Sequence, residues 1–190
     1  NFSFSEDTTG MSMAHPAGCY RYKIASAYME ELVMKNGFVT KEQLFGLTRC
    51  LTNSEGGDLC DMDRFDEFSV ACVDFRYYIP RYKSTSAMII QGVLPNENPN
   101  YTIAWTMLGP PIVSVIIPYL ITSRQVLPQK ACIGSDGHAW FSYKGQLLKN
   151  ECFFDVNTLD LAKLYNQCGT GFMQRVDEIE KCVLDKGNDL

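Results

Sequence analysis

The side chains able to do chemistry are few and scattered along the sequence. Asp58, Asp61, Asp63, Asp66 and Glu67 form the densest group of carboxylates, and carboxylates are what a hard cation needs. The spacing fails the calcium-loop pattern: Asp61-x-Asp63-x-Phe65 puts a ring where the third ligand belongs, and no glycine follows. A solvated acidic loop is the expectation. His15 and His138 are too few and too far apart for a zinc signature, and Cys132 near His138 is not a metal motif by itself. The sequence implies neither a metal nor a cofactor. A Cys–His pair built on His138 is weighed against the number of cysteines present, which makes some proximity expected by chance. Ser84, Thr85 and Ser86 are hydroxyls entering an apolar run, and strand ends are where open sheets place polar chemistry. Against that stands the plain reading, small polar residues that begin a crowded strand. Arg21, Arg81 and Lys83 could set positive charge near such a strand end and bind a carboxylate-bearing substrate, with solvated surface charge as the alternative.

The elements that must position these groups follow from periodicity. Ser84 to Val93 is apolar or small on both alternating faces, Met88 and Ile90 on one and Ala87, Ile89 and Val93 on the other, which predicts a buried central strand covered on both sides. Tyr101 to Leu108 alternates cleanly, and Ile112 to Ile117 is a third β-branched run between Pro110-Pro111 and Pro118, prolines expected to flank the ladder and not to sit in it. Strands in succession imply a meander. Before it, Phe2 and Phe4 suggest an extended entry, Tyr20 to Lys35 has helical spacing closed by Asn36-Gly37, and Thr40-Lys41-Glu42-Gln43 reads as a capping box opening a helix to about Leu51. Phe68 to Tyr78 predicts a strand, with a short helix as the alternative. After the meander, Asp136-Gly137 and Lys144-Gly145 are turn signals, Asp155 to Gln167 has helical spacing, and Phe172 to Lys186 predicts a last amphipathic helix ending at Gly187. The expected class is α+β, antiparallel sheets layered with helices, with residues 1–190 as one domain segment free of repeats and linkers.

Composition sets bounds. A chain of 190 residues with 46% hydrophobic and 12% aromatic residues can fill a core. The net charge of −5 with scattered basic residues argues against nucleic acid as a partner. No run approaches the roughly 18–20 apolar residues needed to span a bilayer. Eight cysteines, none in C-x-x-C spacing, are expected mostly as buried thiols, with disulfides left open. The compartment stays open, an extracytoplasmic one included, and so does assembly into homo-oligomers. The start, Asn1-Phe2-Ser3-Phe4-Ser5-Glu6-Asp7, lacks an initiator Met, a basic region and a signal-peptide core, so the sequence is expected to begin partway through a longer product.

Four stretches together carry a resemblance: Asn1-Phe2-Ser3-Phe4-Ser5, Gly18-Cys19-Tyr20-Arg21-Tyr22, Ile79-Pro80-Arg81-Tyr82-Lys83-Ser84-Thr85-Ser86-Ala87, and Leu108-Gly109-Pro110-Pro111-Ile112-Val113-Ser114-Val115. They resemble the carboxy-terminal part of the linear-amide hydrolases related to isopenicillin-N acyltransferase and, more distantly, choloylglycine hydrolase and penicillin V acylase. The resemblance implies part of an N-terminal-nucleophile αββα sandwich. It implies hydrolysis or acyl transfer at the linear amide C–N bond of a small N-acyl substrate, by a cysteine made amino-terminal through self-cleavage. By the same likeness Asn1 is the oxyanion-stabilising asparagine, Arg21 the active-site arginine and Ser84 a serine near the acyl pocket. The chain starts with Asn, and only Cys19 lies near that end. The nucleophile and the first part of the sheets are therefore expected upstream, leaving this chain inactive alone, with open strand edges for the missing amino-terminal segment to cover. The alternative is a non-catalytic α/β interaction domain whose sheet edge pairs with a partner.

Overall fold

The computed structural model describes residues 16–51, 68–122 and 128–187. Helix α1 spans Pro16–Asn36, and Gly37 ends it in the left-handed region at φ +76°, its N–H donating to the Val33 carbonyl. Thr40 then opens α2, Lys41–Thr48, through the expected capping box: the Gln43 N–H donates to Thr40 Oγ1, and the Thr40 N–H donates to Gln43 Oε1. The Tyr28 hydroxyl donates to the Gln43 carbonyl and joins the two helices.

Strand β1, Cys72–Asp74, runs into a single 3₁₀ turn over Phe75–Tyr77, so both alternatives for that stretch occur in sequence. The meander follows: β2, Ser86–Gln91; β3, Ile103–Leu108; and β4, Ile116–Leu120, antiparallel in the order β2-β3-β4. Helix α3 covers Trp140–Cys152, β5 covers Thr158–Asp160 and pairs antiparallel with β1, α4 is the short helix Leu161–Leu164, and α5 runs Phe172–Gly187. The class is α+β with antiparallel sheets and packed helices.

Two cores hold it. Trp105, Met107 and Ile103 on β3 pack with Phe45 of α2 and Ile116 of β4, joined by Ala87, Ile89, Leu120, Val183 and Leu184. A second core gathers Phe75, Tyr78, Ile112, Val113, Cys152, Leu159, Leu161, Leu164 and Met173 around the β1–β5 pair. Burying such side chains is worth about 1.5–3 kcal/mol each relative to leaving them exposed.

Several sequence expectations need correction. The central strand is β3. Strand β2 is an edge, and its Met88 and Ile90 are 59% and 57% exposed. A two-faced apolar pattern specifies a strand but carries no information about whether a neighbour lies beyond it. The third β-branched run begins as a 3₁₀ turn, Pro111–Val113, and its ladder starts only at Ile116, with Pro118 inside the strand. That is tolerated because residue 118 turns its backbone away from β3, so the ring removes no ladder bond. Lys144-Gly145 lies within α3, where the absent Cβ of Gly145 allows close approach to Gly109 and Pro110. The helical spacing over 155–167 yields β5 and α4 instead, because the Asp155 carboxylate accepts the N–H groups of Asn157 and Thr158 and holds the chain in a turn. The seven described cysteines are all free thiols, but only Cys152 is buried; Cys72 and Cys182 lie on outward faces of β1 and α5. No described helix is long and apolar enough to cross a membrane. The acidic run 58–67, His15 and the entry carrying Phe2 and Phe4 lie outside the described residues.

Candidate functional site: a cationic corner at the head of β2

Residues 78–85, between the 3₁₀ turn Phe75–Tyr77 and β2, follow no regular element, and the turn and this stretch are braced from three sides. From within, Asp74 caps the turn, its carboxylate accepting the Arg76 N–H at 3.1 Å and the Arg76 Nε–H at 2.9 Å. From α1, Arg21 Nη1 donates to the Arg76 carbonyl at 3.0 Å, while Tyr20 meets Tyr77 edge-to-face with ring centroids 5.3 Å apart. From α3, Lys149 Nζ donates to the Tyr82 carbonyl at 3.2 Å and sits 3.9 Å from the centre of the Tyr82 ring. Phe153 closes the far side against both Phe75 and Tyr82.

The segment ends in a turn that locks Arg81 to Ser84 in both directions: the Ser84 N–H donates to the Arg81 carbonyl at 2.9 Å, and the Arg81 N–H donates to Ser84 Oγ at 3.1 Å. Of the residues singled out from the sequence, Ser84 is thus fastened to Arg81, and Arg21 to the Arg76 carbonyl of the same segment. Asn1 lies outside the described residues. Thr85, Ser86 and Lys83 are exposed beside the turn. His138 is elsewhere, its ring stacked on Tyr143 at 4.7 Å.

Electrostatically the corner is one-sided. Asp74 neutralises Arg76 and is itself held below the usual carboxylate range by that hydrogen bond. Among the described residues no carboxylate forms an ion pair with Arg21, Arg81 or Lys149. The Arg21 pKa is pulled below its ordinary value, first by burial and then by the charge of Arg81. Burial alone lowers that of Lys149, which is only 5% exposed. In a chain of net charge −5 this gathering of uncompensated cations is a local reversal of sign. An anion placed there relieves the repulsion and finds donors, since each guanidinium carries five N–H groups and the Ser84 hydroxyl, already an acceptor, still has its own proton to give.

Lys149 was not legible as a member of this corner from residue type. Its signal is positional: Gly145, Lys149 and Cys152 share the buried face of α3 at helical spacing, so a lysine falls where an apolar residue belongs. Away from the corner, Leu108, Ile117, Trp140, Phe141, Ile179 and Val183 line a groove of about 450 Å³ between the end of the sheet, α3 and α5. In its wall the buried Ser114 hydroxyl has no hydrogen-bond partner among the described residues and lies against the backbone of Gly109 and Gly145. Among the described residues no three metal-ligating side chains converge. Comparison with protein-family models, with curated proteins and with solved structures finds no match to this chain.

Proposed function

We propose that this chain is the carboxy-terminal segment of a cysteine N-terminal-nucleophile amidohydrolase or acyltransferase that acts on a small N-acyl substrate bearing a carboxylate. The observation that supports this most is the cationic corner, where Arg21 is fastened to the Arg76 carbonyl and Ser84 to Arg81 and, among the described residues, no carboxylate forms an ion pair with either arginine. The resemblance of the four stretches to linear-amide hydrolases gives that corner a reaction to serve.

In this proposal the nucleophilic cysteine sits on a preceding segment and attacks the amide carbonyl, its own α-amine taking the thiol proton and passing it to the leaving amine. The Asn1 side-chain amide donates to the oxyanion that forms on the carbonyl oxygen. Arg21 and Arg81 hold the substrate carboxylate and so fix the scissile bond relative to the thiolate. Water or a second amine then takes the acyl group from sulfur.

The test joins the chain to its preceding segment and follows release of free amine from N-acyl amino acids and bile-salt conjugates by mass spectrometry. Turnover that iodoacetamide abolishes is the expected result. A preceding segment without a cysteine that can become amino-terminal, or turnover indifferent to iodoacetamide, counts against it.

A further inference from the structure

The three-stranded sheet has two outer edges, and they are finished differently. On β4 the backbone groups alternate between facing β3 and facing away. The Ile121 N–H, in step with the inward set, donates to the Thr102 carbonyl at 2.8 Å. Ile116 belongs to the outward set, and its N–H donates to Glu180 Oε1 at 2.6 Å. Two residues further, Pro118 has no N–H at all. A carboxylate therefore fills one outward position and a proline empties the next, which closes β4 to another strand.

Among the described residues strand β2 carries no such device. The register pairs Ala104 with Tyr119 and Thr106 with Ile117, and these β3 residues turn their backbone groups toward β4. Their alternates, Ile103, Trp105 and Met107, turn toward Gln91, Ile89 and Ala87 of β2. Ser86, Met88 and Ile90 are left facing outward, and among the described residues no partner takes their N–H and C=O groups. The Met88 and Ile90 side chains are exposed as well, and at Gly92, just past the strand, nothing lies within 4 Å of where a Cβ would stand. Lys83, exposed just before the strand, forms no ion pair among the described residues.

We propose that the outer edge of β2 is a docking site for an extended polypeptide strand that lays apolar side chains at alternate positions against Met88 and Ile90 and sets a carboxylate beside Lys83. Backbone donors and acceptors at every second residue specify an extended backbone; a helix or a small molecule cannot match them in series. The apolar pair on one face and the Lys83 cation at one end give the strand its pattern and its polarity. The proposal requires no nucleophile and is tested without turnover, so its failure and that of the amide-hydrolysis reading are distinguishable.

The probe is a fluorescein-labelled synthetic peptide of alternating valine and threonine with an aspartate at one end, made in both orientations and titrated with the 190-residue chain while anisotropy is followed. One orientation is expected to bind. N-methylation of the alternate amides that face β2 is expected to weaken binding by at least about tenfold, and N-methylation of the other set to leave it unchanged. Met88→Pro removes only an outward N–H, so it is expected to keep the far-UV circular dichroism of the parent and lose the peptide. Should that variant fold poorly, amide exchange on the parent chain decides: the Met88 and Ile90 amides gain protection when peptide is added. No binding of either orientation, equal effects of the two methylation patterns, or unchanged exchange at Met88 and Ile90 overturns the proposal. So does protection of those amides that rises with protein concentration alone, which makes a second copy of the chain the occupant.

Discussion

Arg49 and Glu180, distant in sequence, meet as a two-pronged ion pair with Nη1–Oε2 and Nη2–Oε1 both at 2.6 Å, and each also holds backbone. Arg49 Nε donates to the Pro111 carbonyl and Nη2 to the Ser114 carbonyl, while Glu180 Oε1 accepts the Ile116 N–H. The pair thereby fastens α2 and α5 to the loop entering β4. With side chains only 9% and 7% exposed, both charges have lost most of their water, and the shared hydrogen bonds compensate for that loss. Removing one partner is expected to cost about 3–5 kcal/mol in urea unfolding, for Glu180→Leu as for Arg49→Met. Replacing both together is expected to remain destabilising, because the carbonyls of Pro111 and Ser114 and the Ile116 N–H lose their partners at about 1–3 kcal/mol each. A double variant as stable as the parent contradicts this role.

Gly145 is expected to resist substitution for a reason unrelated to helix propensity. A Cβ there would stand 2.9 Å from Ser114 Oγ, 3.2 Å from Pro110 Cδ and 3.3 Å from the Gly109 Cα. Alanine normally favours a helix by about 0.5–1 kcal/mol over glycine, but here overpacking of about 1–3 kcal/mol outweighs that gain. Thermal melting of Gly145→Ala should show a loss; a raised melting temperature refutes the close approach.

Cys152 should be chemically silent. Burial first, then the charges of Glu151 and Asp160, push its thiol up from the ordinary 9.0 to about 12. The thiolate that reacts is therefore scarce, and at about pH 8 iodoacetamide is expected to label Cys19, Cys72, Cys132, Cys168 and Cys182 well before Cys152. Because the folded pKa lies above the unfolded one, the thiol's contribution to stability is complete below about pH 9 and is lost as pH rises through about 12. Peptide mapping that finds Cys152 labelled alongside the exposed thiols contradicts its burial.

Lys149 has the opposite sign. Burial lowers its pKa, so the charged form is disfavoured in the folded chain, and stability tied to this group rises as pH climbs from its folded pKa toward the ordinary 10.5. Lys149→Met keeps most of the stem's packing and removes the buried charge, whereas Lys149→Ala leaves a void. The methionine variant is expected to lose about 1 kcal/mol and the alanine variant about 2–4 kcal/mol in urea unfolding. Equal losses mean that the bond to the Tyr82 carbonyl dominates instead.

What could be read beforehand follows the range of each interaction. The capping box at Thr40 and Gln43, the left-handed Gly37 and the long helix α5 are set by residues within one turn of each other, and all stand in the structure. The meander was legible because alternation is local. The edge position of β2, the place of Pro118 and the approach of Gly145 depend on which neighbour lies across a strand or helix, and no spacing within one element encodes that. Of the corner, Arg21, Arg81 and Ser84 were legible only as residue types; the bonds of Arg21 to the Arg76 carbonyl, of Arg81 to Ser84 and of Lys149 to the Tyr82 carbonyl arise only when α1, α3 and residues 75–85 pack together.

The most direct test of the proposed corner compares an N-acyl amino acid with its methyl ester as substrates of the chain joined to its preceding segment, in the parent and in Arg21→Met. If Arg21 and Arg81 hold the carboxylate, kcat/KM for the acid falls by about ten- to a hundredfold in the variant, mostly through KM, while the ester is turned over poorly by both and nearly equally. Acid and ester processed alike by the parent, or an equal fall for both in the variant, contradicts carboxylate recognition at this site.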